Sequence, residues 1–166
     1  SEMFMKSKLF SILGISALLR IILVLLNFPL WWDSYVYVSL GKYMFSAGQL
    51  GFWEPFRPLI HPFLLGLSWN FGLDPFIVGK VLDIIFSLAA IYFIYKIAEK
   101  MFGEKVAVLS SLLFSFTPLF LSFSGAILTD PLALLFSLAG LWLVIRKNYF
   151  WAGIILALSF LTRFPH

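Results

Sequence analysis

The chain has no cysteine, so disulfides, thiolate metal sites and thiol nucleophiles are excluded. Charge is scarce as well. Only 12% of the 166 residues are charged, whereas 61% are hydrophobic and 19% aromatic. With a mean hydropathy of +0.98, a soluble domain of this length could not hide so much apolar surface. The net charge of +4 does not form a basic patch, because the cations sit at the ends of apolar segments. Nucleic acid is therefore not an expected partner. A Gly-rich phosphate loop, a His-Glu-x-x-His zinc motif, a nucleophile elbow and a histidine pair spaced for a metal are all missing, which speaks against a nucleotide-sugar or ATP site. There is no internal repeat and no low-complexity stretch, so a single domain suffices.

What is present is a set of long apolar runs. The sequence predicts an all-α polytopic membrane protein with about five transmembrane helices, over residues 9–30, 76–95, 106–128, 131–145 and 148–162. The first run is longer than a signal-peptide core and has no small-residue cleavage site after it, so it reads as a retained span. The segment 59–72 is only about 21 Å long as a helix and holds His61, Pro62 and Asn70. If it does not cross, Lys6, Lys8, Lys96, Lys100, Lys105, Arg146 and Lys147 share one side, and the long segment on the other keeps only Lys42 and Arg57. The positive-inside rule then puts the N-terminus in the cytoplasm and residues 31–75 outside.

That external segment should hold interfacial helices. From Ser34 to Ala47, Val36, Leu40, Tyr43, Met44 and Ala47 fall on one helical face, with Ser39, Lys42 and Ser46 opposite. Glu54-Pro55-Phe56-Arg57-Pro58 is too rich in proline for a helix and reads as an extended turn. Segment 59–72 then dips into the membrane, and Asp74-Pro75 opens the second span. The last run stops at Phe164-Pro165-His166, which reads as the end of an N-terminal piece of a longer protein.

Candidate chemistry collects on the outer side. Asp33 follows the interfacial Trp31-Trp32, and Asp130 opens the run at 131–145, which places both acids at one membrane surface. The plainer explanation is helix capping, which is preferred for Asp74, evenly balanced for Asp130 and less apt for Asp33. Arg57, held between prolines, could grip a phosphate, or pair locally with Glu54. His61 offers proton transfer or a substrate contact, against burial at the head of a helix. Lys80 and Asp83 read as a neutralised i,i+3 pair. Arg20 should face protein, water or phosphate, while Arg163 could join the acids or snorkel to the interface.

The order of Asp33-Ser-x-x-Tyr-Val, Arg57-Pro-Leu-Ile-His-Pro, Trp69-Asn-Phe-Gly, Thr117-Pro118, Ser124-Gly-Ala-Ile-Leu-Thr-Asp130 and the run ending at Arg163 resembles the N-terminal module of GT-C integral-membrane glycosyltransferases. The likeness is to the protein mannosyltransferase and lipid A aminoarabinose transferase group, and it covers nearly the whole chain. It implies a polyprenyl-phosphate sugar donor, such as dolichyl phosphate mannose, and a protein, glycan or lipid acceptor at the extracytoplasmic face. It also implies that Asp33 is the catalytic carboxylate and that Asp130 contributes to the same cavity. Arg57, His61 and Arg163 are then the candidate substrate and phosphate contacts. No cofactor is certain, and a divalent metal is left open. The group commonly carries Asp-Glu where this chain has Asp33-Ser34, which counts against protein O-mannosylation in particular. A flippase, a transporter or a non-catalytic membrane subunit is the competing reading, although a transporter would place its charges nearer the midplane in paired broken helices.

Overall fold

The computed structural model describes residues 2–26 and 29–164, with side chains from Ser7 onward. The expected positive charge at Lys6, the end of the first expected span at residues 27–28, and Pro165-His166 lie outside that description. Among the described residues eight helices come in succession: α1 (Glu2–Leu25), α2 (Trp32–Phe45), α3 (Ile60–Asn70), α4 (Pro75–Phe102), α5 (Glu104–Ser115), α6 (Pro118–Ser122), α7 (Asp130–Ile145) and α8 (Tyr149–Thr162). No strand occurs among the described residues.

Two of these are long and apolar enough to cross a membrane, Ser7–Leu25 and Pro75–Phe102, with Asp130–Ile145 and Tyr149–Thr162 as shorter apolar helices. Phe10, Leu18, Leu109, Leu113, Phe150 and Leu161 lie exposed on the outside of the bundle. Such a surface fits a helical membrane protein.

The central helix is α4, which packs against α1, α3, α5 and α7. The Asp74 carboxylate accepts the Phe76 N–H at 2.8 Å and Pro75 occupies the first turn, so the expected cap at Asp74 is present. Gly103, at φ +89°, ends α4 and turns the chain into α5. At that end the Lys8 Nζ lies 2.8 Å from Glu104 Oε1, joining the start of α1 to the start of α5. Helices α7 and α8 lie side by side, joined where Ser159 Oγ donates to the Ala133 carbonyl at 2.7 Å and meets Ser137 Oγ at 2.7 Å. Small polar contacts of this kind hold apolar helices together where burial from water cannot.

Three elements differ from the sequence expectation. The uncharged run 106–128 is not one helix, because α5 stops at Ser115, α6 is a single turn and residues 123–129 are loop. Pro118 is the physical reason: it lacks an N–H and keeps Thr117 extended, at ψ 123°. The helix from Trp32 is not amphipathic on a free surface either. Ser34, Val36, Tyr37, Val38, Leu40 and Gly41 are all buried, because α3 packs across it. Third, the Asp83 carboxylate is engaged by a distant loop, which an i,i+3 pairing with Lys80 does not foresee: its Oδ2 accepts the Ile127 N–H at 2.6 Å. Arg20 is fully buried and faces protein, with its guanidinium bonded to Ser16, reaching the Ser115 carbonyl at 3.4 Å and lying 5.0 Å from the Phe120 ring centre.

Candidate functional site

The first turn of α2 carries Asp33, and the turn before α3 carries Arg57. Asp33 does not cap its helix, since the N-cap position is Trp31 and makes no side-chain cap bond. Its Oδ1 instead receives the Arg57 Nη2 at 2.8 Å, while Arg57 Nε reaches Glu54 Oε1 at 3.2 Å. The local pairing of Arg57 with Glu54 is therefore present, and the same guanidinium also holds Asp33. The guanidinium also lies 5.6 Å from the Tyr37 ring centre. Burial works against its charge, but the hydrogen bond and charge of Asp33 outweigh this, with help from Tyr37 and Glu54, so its pKa is raised further.

A cavity of about 350 Å³ opens over this cluster, lined by Asp33, Tyr37, Glu54, Phe56, Arg57, Pro58, Thr129, Arg163 and Phe164. A second cavity of about 480 Å³ adjoins it through Arg163 and Phe164, and Asp130 lines that one. Arg163 Nη1 donates to Asp130 Oδ2 at 2.6 Å. Asp130 sits one place past the N-cap of α7, Thr129, whose side chain makes no cap bond. The sequence-picked Asp33, Arg57, Asp130 and Arg163 thus gather at one end of the bundle, with Arg163 common to both hollows.

His61 is the exception. It is fully buried behind Tyr37, with ring centres 5.7 Å apart and planes nearly perpendicular, and it lines neither cavity. Burial lowers its pKa to about 4, and neither ring nitrogen has a hydrogen-bond partner among the described residues. A direct substrate contact by His61 is not what this packing provides.

Several cavity residues do not stand out in the sequence. Tyr37 and Thr129 carry no signal of their own, since a tyrosine on an apolar helix and a threonine before Asp-Pro both read as structural. Glu54 reads only as the local partner of Arg57. Ser34 has no sequence signal either; its Oγ donates to the Ala126 carbonyl at 2.5 Å and ties α2 to the loop before α7. Among the described residues no three His, Cys, Asp or Glu side chains cluster so as to hold a metal ion.

Chemically, the end of the bundle offers one carboxylate at a cavity rim, a second beside it, and two guanidiniums that can meet a phosphate. No curated protein and no solved structure matches the chain. A family model does match, over residues 56–166, which takes in Arg57, His61, Asp130 and Arg163 and begins after Asp33. That match covers well over half of the sequence, and the chain belongs to the dolichyl-phosphate-mannose-protein mannosyltransferase family, whose members are membrane glycosyltransferases of GT-C type.

Proposed function

We propose that this chain is the working end of a membrane glycosyltransferase that moves a sugar from a polyprenyl phosphate to an acceptor hydroxyl at the extracytoplasmic face. The observation that carries the reading is the 350 Å³ cavity that gathers Asp33, Arg57 and Arg163. A polyprenyl-phosphate sugar keeps its anomeric carbon near the headgroup plane, so the base has to sit at a bundle end. Asp33 accepts the proton of the acceptor hydroxyl as that oxygen bonds to the anomeric carbon. The bond from that carbon to the phosphate oxygen breaks, and the phosphate leaves with an added negative charge. Arg57 and Arg163 stabilise that charge as it builds. Asp130 keeps Arg163 turned toward the cavity.

The orientation supports this reading. Lys8 and Glu104 meet at one end of the bundle and the acids gather at the other. With the lysine-rich end in the cytoplasm, the acids face out. In this arrangement α1, α4, α5 with α6, α7 and α8 form the membrane layer, and α2 and α3 pack on it from the outer side.

The test is transfer of labelled sugar from a polyprenyl-phosphate donor by the complete natural protein in detergent. Asp33→Asn should lose roughly 10²–10⁴-fold in rate while melting like the parent. Asp130→Asn should slow transfer less, because it acts through Arg163. Full activity of Asp33→Asn would sink the general-base assignment.

A further inference from the structure

Asp83 is a fully buried carboxylate within the apolar length of α4, and the transfer mechanism gives it no part. An acid there is costly and calls for a reason. Its Oδ2 reaches across to the Ile127 N–H at 2.6 Å. Ile127 stands at φ +55°, in the left-handed region where a β-branched residue is a genuine outlier. Strain of that kind persists only where the surroundings over-determine it. Here they do so from three sides. Asp83 holds the amide, and Ser34 Oγ holds the preceding carbonyl of Ala126 at 2.5 Å. The Ile127 side chain, fully buried, fills the hollow left by Gly79, where an added methyl would come within 2.7 Å of its Cγ2.

Beyond the bend the chain runs directly into the site. Two residues on is Thr129, in the wall of the Asp33 cavity, and next is Asp130, bonded to Arg163. Ser34, the other anchor, is the neighbour of Asp33. The loop is thus fixed at one end to the helix of the first acid and leads at its other end into the second. We infer that Asp83 is a positioning residue, whose hold on the Ile127 amide keeps residues 124–129 bent so that Thr129 closes the cavity around Asp33 and Asp130 holds Arg163 in its wall. This rests on the proposed transfer reaction for its consequence in rate, and on geometry alone for its effect on the loop.

Two readouts test it in the complete natural protein: hydrogen exchange of the segment 124–130 and donor-dependent sugar transfer. Asp83→Asn keeps an oxygen that can accept the Ile127 N–H, so protection and most of the rate should survive. Asp83→Leu removes the acceptor at similar volume. It should speed exchange in this segment and cut kcat by about 10²-fold, the scale expected for an ångström of misplacement. Recovery by Asn and not by Leu is a signature that mere space-filling does not give. Unchanged exchange in Asp83→Leu overturns the proposal, and so does faster exchange with a parental rate. If Asp83→Leu does not fold, Gly79→Ala displaces Ile127 from its other side; a looser segment with undiminished transfer there also overturns the proposal. Asp33→Asn, run alongside, separates the two readings: parental transfer in that variant sinks the general base and leaves the exchange result standing.

Discussion

One guanidinium holds two acids: Arg57 donates to Asp33 at 2.8 Å and to Glu54 at 3.2 Å. The first contact crosses from the turn before α3 to the first turn of α2, and the second is local. Because Glu54 stays in place, in the proposed reaction Arg57 can turn from Asp33 to the donor phosphate without becoming unpaired. In that proposed reaction Asp33 is then free to meet the acceptor hydroxyl. The same contact that orients the acid in the resting protein therefore need not block it in the reaction.

Arg57 should be needed for transfer more than for folding. Its side chain is 25% exposed and that of Asp33 38%, so the pair adds only about 0–1 kcal/mol to stability. Arg57→Ala should cost about 10²-fold or more in kcat, by analogy with removal of a donor to a developing anion. Arg57→Lys should recover only part of this, since one ammonium cannot fork to two acids. Donor-dependent rates and thermal melts on the same samples check both statements. A parental rate for Arg57→Ala would remove it from the site.

His61 should give the protein an acid-sensitive stability. Burial lowers its folded-state pKa to about 4 from an ordinary 6.5. Between these values the unfolded chain binds a proton that the folded chain does not, so stability falls as pH drops from 6.5 towards 4 and is full above that window. The loss attributable to His61 is on the order of 3 kcal/mol at most. His61→Asn should flatten the decline in melting temperature across that window. Parallel curves for parent and variant would show that the ring is protonated, or solvated, in the folded state.

The sidedness is open to chemical labelling because the chain carries no cysteine of its own. Gln49 is exposed beyond α2 and Lys105 is exposed at the start of α5. Single cysteines at these positions should divide on intact cells. An impermeant maleimide should label Gln49→Cys, and reach Lys105→Cys only after lysis. The reverse pattern would turn the bundle over and put the site in the cytoplasm.

The sequence shows the layout best where one residue type decides. Apolar runs mark α1, α4, α7 and α8, and Asp74-Pro75 marks the start of α4 within a residue. The lack of charge in 106–128 hides a loop, because hydropathy does not distinguish a helix from a buried bend. Pro118 and Gly125, at φ +71°, are the local signs of it. The burial of α2 depends on a partner, α3, whose contact runs through Gly41 and Gly66 and leaves no periodic trace. In the site, Asp33, Arg57, Asp130 and Arg163 stand out because charge is rare here. Tyr37 and Thr129 do not, since only the folded chain brings them to the cavity. Asp83 stands out as an intramembrane acid, but it reaches a backbone amide 44 residues away, and no spacing rule points to an amide.

The close approach of α2 and α3 gives the last prediction. A Cβ at Gly41 would lie 2.5 Å from the Pro62 carbonyl oxygen and 2.7 Å from the Gly66 nitrogen. Both are backbone atoms, so no rotamer change relieves the clash and the two helices must move apart. Gly41→Ala should therefore cost about 1–3 kcal/mol, the usual range for overpacking. It should also slow transfer, because α2 carries Asp33 and the turn into α3 carries Arg57, and their 2.8 Å contact spans the gap that widens. Gly14 is the control: in α1 nothing lies within 4 Å of its added methyl, and Gly14→Ala should be neutral or stabilising, by up to about 1 kcal/mol. Melting temperatures and transfer rates of the two variants, measured side by side, decide it. If Gly41→Ala melts with Gly14→Ala and transfers at the parental rate, the helices are not packed backbone to backbone at this crossing.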